Sequence, residues 1–269
     1  MVAGHPERTR YWLSRQLCQL WDWRTPGGQL KDMAARTLLL KLEQRGLLRL
    51  PVRRCPSPNR MRHKRAPAPA PALEPITDSL SVLRPLAIVE LGQAPEDLPR
   101  FESWLHHHHY LGYLSPVGMN LKYVVRDRHE RPLACALFGS AAWQCAARDR
   151  WIGWDRAARQ QHLQRITNNT RFLILPGVAV PHLASHVLSL ILRRLRADWH
   201  VKYGAPLSLV ETFVEANRFR GACYQAANWV EVGRTTGRTR QDRYSRLQVP
   251  PKQVYLYPLV PGFRAELGA

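Results

Sequence analysis

Apolar residues recur at three- and four-residue steps near the start of the chain. Between Arg8 and Trp23 they stand at Trp12, Leu13, Leu17, Leu20 and Trp21. A second periodic segment runs from Gln29 to Arg45, and Gly46 follows it where a left-handed C-terminal cap belongs. This spacing predicts two amphipathic helices, and the text LLRL at 47–50 predicts a short strand after them.

The order helix, turn, helix and strand over residues 1–54 is typical of a winged helix, whose second helix enters the DNA major groove. We expect its DNA-binding cations to be Lys31, Arg36, Lys41, Arg53 and Arg54. The alternative is an ordinary helical hairpin that packs on the rest of the protein or on a partner. The sequence therefore predicts a small helical, winged-helix-like domain at the start of the chain.

Residues 55–80 change in character and predict a linker. A run of cations is followed there by a Pro-Ala repeat. The cationic half can hold phosphate without folding, and the Pro-Ala half favours an extended spacer. Residues 81–269 return to apolar periodicity, so we expect a second and larger domain there.

Strand-like and helix-like segments alternate within 81–269. We expect strands near 86–91, 121–126, 133–140, 171–175 and 207–214, and helices near 95–107, 155–166 and 182–199. A short helix carrying Tyr224, a last strand and a basic tail complete the stretch from Leu207 to Arg243. This alternation predicts an α/β domain in which helices flank a mixed sheet.

The charge of the chain points to a polyanionic partner. Its 269 residues carry 40 Lys and Arg against 20 Asp and Glu, a formal net charge of +20. Nucleic acid, and DNA first, is the partner that such an excess favours. The basic tail adds the candidate DNA-binding residues Arg234, Arg238, Arg240 and Arg243. A merely solvated loop is the alternative for this tail.

Cysteine and histidine usage argues against a metal and against a disulfide framework. The five cysteines are scattered and form no C-x-x-C pair, which fits a reducing cytoplasm. Consecutive residues on a helix point in different directions, so the run His106–His109 cannot surround one tetrahedral ion. His109 is instead a candidate polar site residue, with a structural histidine as the alternative. No secretory signal or membrane-spanning run is evident, so we expect a cytoplasmic protein without a membrane partner.

Glu211 stands inside the apolar run of a predicted strand. A carboxylate there costs several kcal/mol if it is unpaired, so it must face a cation, a hydrogen-bond donor or a site. Arg171, on the preceding strand, is the expected partner if the two strands are neighbours. A purely structural ion pair is the alternative.

The element order from Leu121 to Gly233 resembles the second half of the Gcn5-related N-acetyltransferase fold. The text from Tyr224 to Trp229, seven residues after Asn217, is similar to a helix motif of that fold. The resemblance implies that Tyr224 can act as a general acid. The segment VPHLASHVLS lacks the glycines of that family's pyrophosphate-binding turn, so no cofactor is expected.

A second resemblance covers nearly the whole chain. It rests on HHYLGY at 108–113, RDRWIGW at 148–154, NNTRFLILP at 168–176, LASHVLS at 183–189, ETFVE at 211–215, GACYQAANWVEVGRTTGR at 221–238 and KQVYLYPL at 252–259. These motifs resemble the family of the Druantia anti-phage system protein DruA. The resemblance implies a part in anti-phage defence and an association with mobile elements.

Three functions are compatible with these features. The first is a DNA-binding component of an anti-phage system or an associated mobile element, with other defence or transposition proteins as partners. The second is an enzyme that modifies or cleaves nucleic acid. Its candidate catalytic residues are His109, Asn169, Arg171, Glu211 and Tyr224, if these meet near the carboxyl ends of the central strands. The third is an assembly module that binds defence or transposition partners.

Overall fold

The computed structural model describes residues 4–5, 7–24, 28–52, 67–69, 72–237 and 249–269. The chain divides into two compact units, residues 1–65 and 66–269. The division falls inside the segment predicted as a linker. Ile76 is buried in the larger unit, where its backbone N–H donates to the carbonyl of Gly177 at 2.9 Å. The chain from about residue 72 onward therefore contributes to that unit.

The smaller unit contains the two predicted helices, α1 (Arg10–Leu20) and α2 (Asp32–Gln44). Thr9 caps α1, because its hydroxyl accepts a hydrogen bond from the backbone N–H of Trp12 at 3.1 Å. Gly46 has the predicted left-handed conformation, with φ +70°. The buried core of this unit consists of Leu13, Leu17, Cys18, Ala35, Leu39 and Leu50.

The strand predicted at 47–50 is wrong, because this segment has no strand geometry. The backbone N–H of Leu50 donates to the Glu43 carboxylate at 2.9 Å, and the Leu50 side chain packs into the helical core. The segment thus returns along the helices instead of pairing with another strand. The described residues 47–52 supply no wing.

The described residues of the larger unit form a seven-stranded sheet, and the α/β arrangement that the alternating pattern predicted is confirmed. Its strands are β1 (Ala87–Glu90), β2 (Leu121–Arg126), β3 (Pro132–Ser140), β4 (Ile166–Ile174), β5 (Leu209–Glu215), β6 (Val230–Arg234) and β7 (Lys252–Pro258). Their order in the sheet is β1-β2-β3-β4-β5-β7-β6. Neighbours are antiparallel except β4 and β5, which are parallel. The strands predicted near 121–126 and 133–140 are confirmed, and they pair as an antiparallel hairpin.

Helices cover both faces of this sheet. They are α3 (Leu80–Leu83), α4 (Leu98–His108), α5 (Ala146–Ile152), α6 (Arg156–His162), α7 (Leu183–Tyr203), α8 (Ala222–Ala226) and α9 (Phe263–Glu266). On one face, Val187 of α7 and Tyr224 of α8 belong to the largest buried cluster. On the other face, Phe101 of α4 packs with Leu137 of β3, and Ile152 of α5 packs near Phe263 of α9. No described helix is long and apolar enough to cross a bilayer.

The parallel pair β4 and β5 separates soon after it begins. The two strands have nine and seven residues, yet only Ile166–Asn168 pair with Leu209–Glu211. Beyond that point β4 stays with β3 while β5 stays with β7. The sheet therefore opens between its two central strands, and the opening faces the end of α4 on one side and α8 on the other.

Candidate functional site

A cavity of about 480 Å³ occupies the opening between β4 and β5. Three parts of the chain line it: the segment at the end of α4, the diverging halves of the two strands, and residues from Arg218 to Tyr224. Its volume lies in the range of about 300–1,000 Å³ that is usual for small-molecule sites. The carboxyl ends of β4 and β5 frame it, which is where the sequence placed a candidate site.

Tyr224 and Asn169 form the polar interior of the cavity. The tyrosine hydroxyl donates to Asn169 Oδ1 at 2.9 Å, and Asn169 Nδ2 donates to the carbonyls of Leu137 and Arg171 at 3.3 and 3.1 Å. The Thr212 hydroxyl donates to the backbone carbonyl of Asn169 at 2.9 Å. Burial raises the pKa of Tyr224, so its hydroxyl stays protonated and directed at the amide.

His109 lines the same cavity in one fixed tautomer. Its Nδ1 accepts a hydrogen bond from the backbone N–H of Leu111 at 3.2 Å, so the proton of the neutral ring is on Nε2. Burial, and then the nearby Arg171 guanidinium, lower the pKa of His109 to about 4. At neutral pH the ring is therefore an uncharged donor, not a cation.

This shift of pKa has a measurable consequence for stability. Below pH 6.5 the unfolded chain binds a proton at this ring, whereas the folded chain does so only near pH 4, so stability falls as the pH drops through this window. Between pH 7 and pH 4 we expect the free energy of unfolding to fall by about 2 kcal/mol less in His109→Gln than in the wild type. This figure is discounted because the ring is partly exposed. Denaturant unfolding at several pH values measures it. His200→Gln, at an exposed position, is the control, and a His109→Gln curve parallel to wild type would contradict the expectation.

Arg171 lies beside this site but not against Glu211. Its Nε donates to the carbonyl of Gly112 at 2.8 Å and its Nη1 to the carbonyl of Thr170 at 2.7 Å. No carboxylate of the described residues lies within 4.0 Å of its guanidinium. Arg171 is thus a half-buried cation with backbone partners, and it leaves net positive charge near His109.

The predicted pairing of Glu211 with Arg171 is wrong. The fully buried Glu211 carboxylate receives hydrogen bonds from Arg148 Nη1 at 2.8 Å and from the backbone N–H of Ala142. Successive residues of a strand point to opposite faces, so Glu211 faces α5 whereas Thr212 faces Tyr224. The acid–base arrangement that combined Glu211 with Tyr224 is not formed, because the sheet separates the two side chains.

The five candidate catalytic residues therefore fall into two places. His109, Asn169 and Tyr224 line one cavity, and Arg171 adjoins it. Glu211 belongs to a buried charge cluster on the face of the sheet that α5 covers. Whether any of these residues catalyses a reaction stays a prediction.

Sequence reasoning missed three residues at the rim of the cavity: Tyr110, Arg218 and Phe219. The Arg218 guanidinium lies 5.0 Å from the centre of the Tyr110 ring, and the Tyr110 and Phe219 rings are 5.1 Å apart. The only sequence signal was the text EANRFRG, which begins at the last residue of β5 and in which two arginines flank a phenylalanine in a polar break. Arg218 and Phe219 belong to the site only because the fold brings them against Tyr110, which follows α4 and is distant in sequence.

Four of the nine candidate DNA-binding residues lie within the described part of the chain, and they differ in exposure. Lys41 and Arg234 are exposed and Lys31 is partly exposed, whereas Arg36 forms an ion pair with Asp32 at 2.8 Å. The other candidates lie outside the described residues, namely Arg53, Arg54, Arg238, Arg240 and Arg243. Arg36 is thus a structural cation and not a free outward one.

The mixed sheet opens at its central parallel pair, α7 forms the crossover between the two strands, and a tyrosine on α8 lies at the opening. These features define an α/β protein with an acetyltransferase-like core. The chain belongs to the Druantia protein DruA family, whose model matches residues 57–258. Membership implies a part in anti-phage defence.

Solved structures similar to this chain include acetyltransferases from Vibrio cholerae. The spermidine/spermine N-acetyltransferase SpeG with manganese ions is 12% identical, with a TM-score of 0.41, over 65% of this chain and 92% of its own. The spermidine N-acetyltransferase in complex with CoA and spermine is 11% identical, with a TM-score of 0.41, over 65% of this chain and 95% of its own. No curated protein matches the chain.

Proposed function

We propose that this protein is a DNA-binding component of an anti-phage defence system, and that cations of the small helical unit hold the phosphates of duplex DNA. The proposal rests on family membership for the defence role and on uncompensated positive charge for the DNA. Other defence or transposition proteins, and an association with a mobile element, stay predictions.

The observation that carries the proposal is that, in the part of the small helical unit that the structure describes, the carboxylates pair with some of the cations and leave others without a carboxylate partner. Arg10, Arg24 and Arg36 are each paired, with Glu43, Asp22 and Asp32 respectively. Among the described residues of this unit, the cations without a carboxylate within 4.0 Å include Lys31, Lys41, Arg45 and Arg49. The acidic residues thus serve internal pairs, and a set of cations is left for an external anion.

Three of these free cations lie at the C-terminal end of α2 or just beyond it, whereas Lys31 precedes the helix. Lys41 and Arg45 are four residues apart and therefore lie on the same side of the helix end, and Arg49 follows in the next segment. All three side chains are exposed. In a helix-turn-helix arrangement α2 would be the helix nearest the DNA, and this cluster would contact the phosphate backbone beside the groove.

A triple variant, Lys41→Gln with Arg45→Gln and Arg49→Gln, tests the proposal. Each lost phosphate contact lowers the slope of log K against log salt by about 0.9, so we expect the slope to fall by about 2–3 and the affinity near 0.1 M salt to fall at least tenfold. Fluorescence anisotropy of a labelled duplex of about 20 base pairs measures both quantities.

A matched triple variant separates a defined surface from general charge. Arg100→Gln, Arg128→Gln and Arg156→Gln remove the same charge at exposed positions of the larger unit that form no ion pair with any described residue. We expect this control to change duplex affinity less than threefold. An equal loss in both triple variants, or no duplex binding by the wild type near 0.1 M salt, would overturn the proposal.

A further inference from the structure

The rim of the cavity between β4 and β5 combines exposed aromatic surface with a free cation. Phe219 is 46% exposed although its ring packs at a tilt against that of Tyr110, and Leu111, which also lines the cavity, is 43% exposed. Arg218 is exposed, is held over the Tyr110 ring, and has no carboxylate of the described residues within 4.0 Å. Aromatic faces next to a guanidinium without a carboxylate partner are the features that bind a base and its phosphate together.

The inner wall supplies hydrogen-bonding groups without negative charge. His109 presents a neutral Nε2–H, since its Nδ1 is occupied by the N–H of Leu111. The Tyr224 hydroxyl donates to Asn169 and keeps acceptor capacity. Arg171, whose backbone partners neutralise none of its charge, lies close enough to lower the pKa of His109. The groups of this inner wall therefore present no carboxylate to an anionic, hydrogen-bonding ligand, and Glu215, which acts electrostatically on Tyr110 at the rim, is not among the described residues that line the cavity.

The shape of the cavity excludes a base that remains paired within a duplex. A volume of about 480 Å³ between two strands admits one small-molecule-sized group and not the width of a double helix. A base can reach such a space only when it is unstacked, as in a single strand or an extruded nucleotide. The net charge of +20 favours such a polyanion over a neutral ligand.

We propose that this cavity binds one unpaired nucleotide of single-stranded DNA, with the base against Phe219 and the phosphate on Arg218. The inference deepens the proposed function, because it gives the larger unit its own nucleic-acid ligand. It uses a different surface and a different form of DNA, so the two proposals fail separately.

Two pairs of variants test the site, with an oligothymidine of about ten nucleotides as the probe. Arg218→Gln and Phe219→Ala are each expected to weaken its binding about tenfold. Arg220→Gln removes the same charge two residues away at an exposed position outside the cavity, and Trp143→Ala removes an aromatic ring that is 52% exposed elsewhere. We expect both controls to stay within twofold of the wild type.

A covalent measurement locates the base directly. Oligothymidine that carries one 5-iodouracil is irradiated with the whole protein, and the crosslinked peptide is sequenced by mass spectrometry. We expect crosslinks at Tyr110 or Phe219, reduced in Phe219→Ala. Equal weakening by Arg218→Gln and Arg220→Gln, crosslinks only outside the cavity, or protection of the cavity by coenzyme A but not by the oligonucleotide would overturn the proposal. Loss of duplex binding in the Lys41, Arg45 and Arg49 variant, with oligothymidine binding retained, would leave it standing.

Discussion

Arg148→Met is expected to lower the free energy of unfolding by about 3–5 kcal/mol. Arg148 and Glu211 are both 0% exposed, and Arg148 Nη1 lies 2.8 Å from the Glu211 carboxylate. Arg148 also contacts Asp149 at 2.8 Å and donates to the carbonyl of Ala142 at 2.7 Å. Methionine fills a similar volume but leaves Glu211 as a buried charge with one remaining donor, which is the costly outcome.

A double-mutant cycle separates this charge effect from lost packing. Adding Glu211→Leu to Arg148→Met removes the stranded carboxylate, so the double variant should be more stable than Arg148→Met alone. Arg150→Met, at an exposed position of the same helix, should change stability by less than about 0.5 kcal/mol. Urea denaturation measures the four proteins of the cycle, which include Glu211→Leu alone, and the Arg150→Met control. Strictly additive losses in the cycle would show that the two side chains do not stabilise the fold as a pair.

Gly221→Ala is expected to cost about 2–4 kcal/mol through two independent effects. Gly221 precedes α8 with φ +69°, a conformation that L side chains rarely adopt. A β-carbon there would also lie 2.5 Å from the Tyr255 hydroxyl. That hydroxyl cannot move aside freely, because it bonds Gln225 at 3.1 Å and Glu231 at 3.2 Å.

Gly204 provides the matched control for this substitution. It ends α7 with φ +63°, and a β-carbon there would meet nothing within 4 Å. Gly204→Ala should therefore cost only the backbone strain of about 1–2 kcal/mol. Thermal unfolding of both variants gives the difference. Equal losses would mean that contact with Tyr255 adds nothing and that only the backbone conformation matters at Gly221.

The regular elements of this protein could be predicted well from local pattern. The periodicity that predicted α1, α2, α7 and strands β2 and β3 reflects which side of each element is buried, and neighbours in sequence decide it. The strand prediction for residues 47–50 failed because their apolar and basic residues fit either a strand or an irregular segment that packs on helices. The carboxylate of Glu43 decided between them, and its position was not visible in the sequence.

The candidate site shows a different limit. Arg171 and Asn169 are two residues apart on β4, so simple alternation places them on one face. A register shift in the pairing of β3 with β4 separates them, and Asn169 meets Tyr224 while Arg171 meets Gly112. The true partner of Glu211, Arg148, lies in a short helix 63 residues earlier. Sequence shows that a buried carboxylate needs a cation but not which arginine supplies it.

The hydrogen bond between Tyr224 and Asn169 has a mechanical consequence. Asn169 belongs to the β4 side of the opening, and Tyr224 stands on the helix that follows β5, so the bond acts as a strut across the gap. Both residues are nearly inaccessible to water, and neither can swing away without stranding a buried polar group. The hydrogen bond therefore fixes the width of the opening at its buried end.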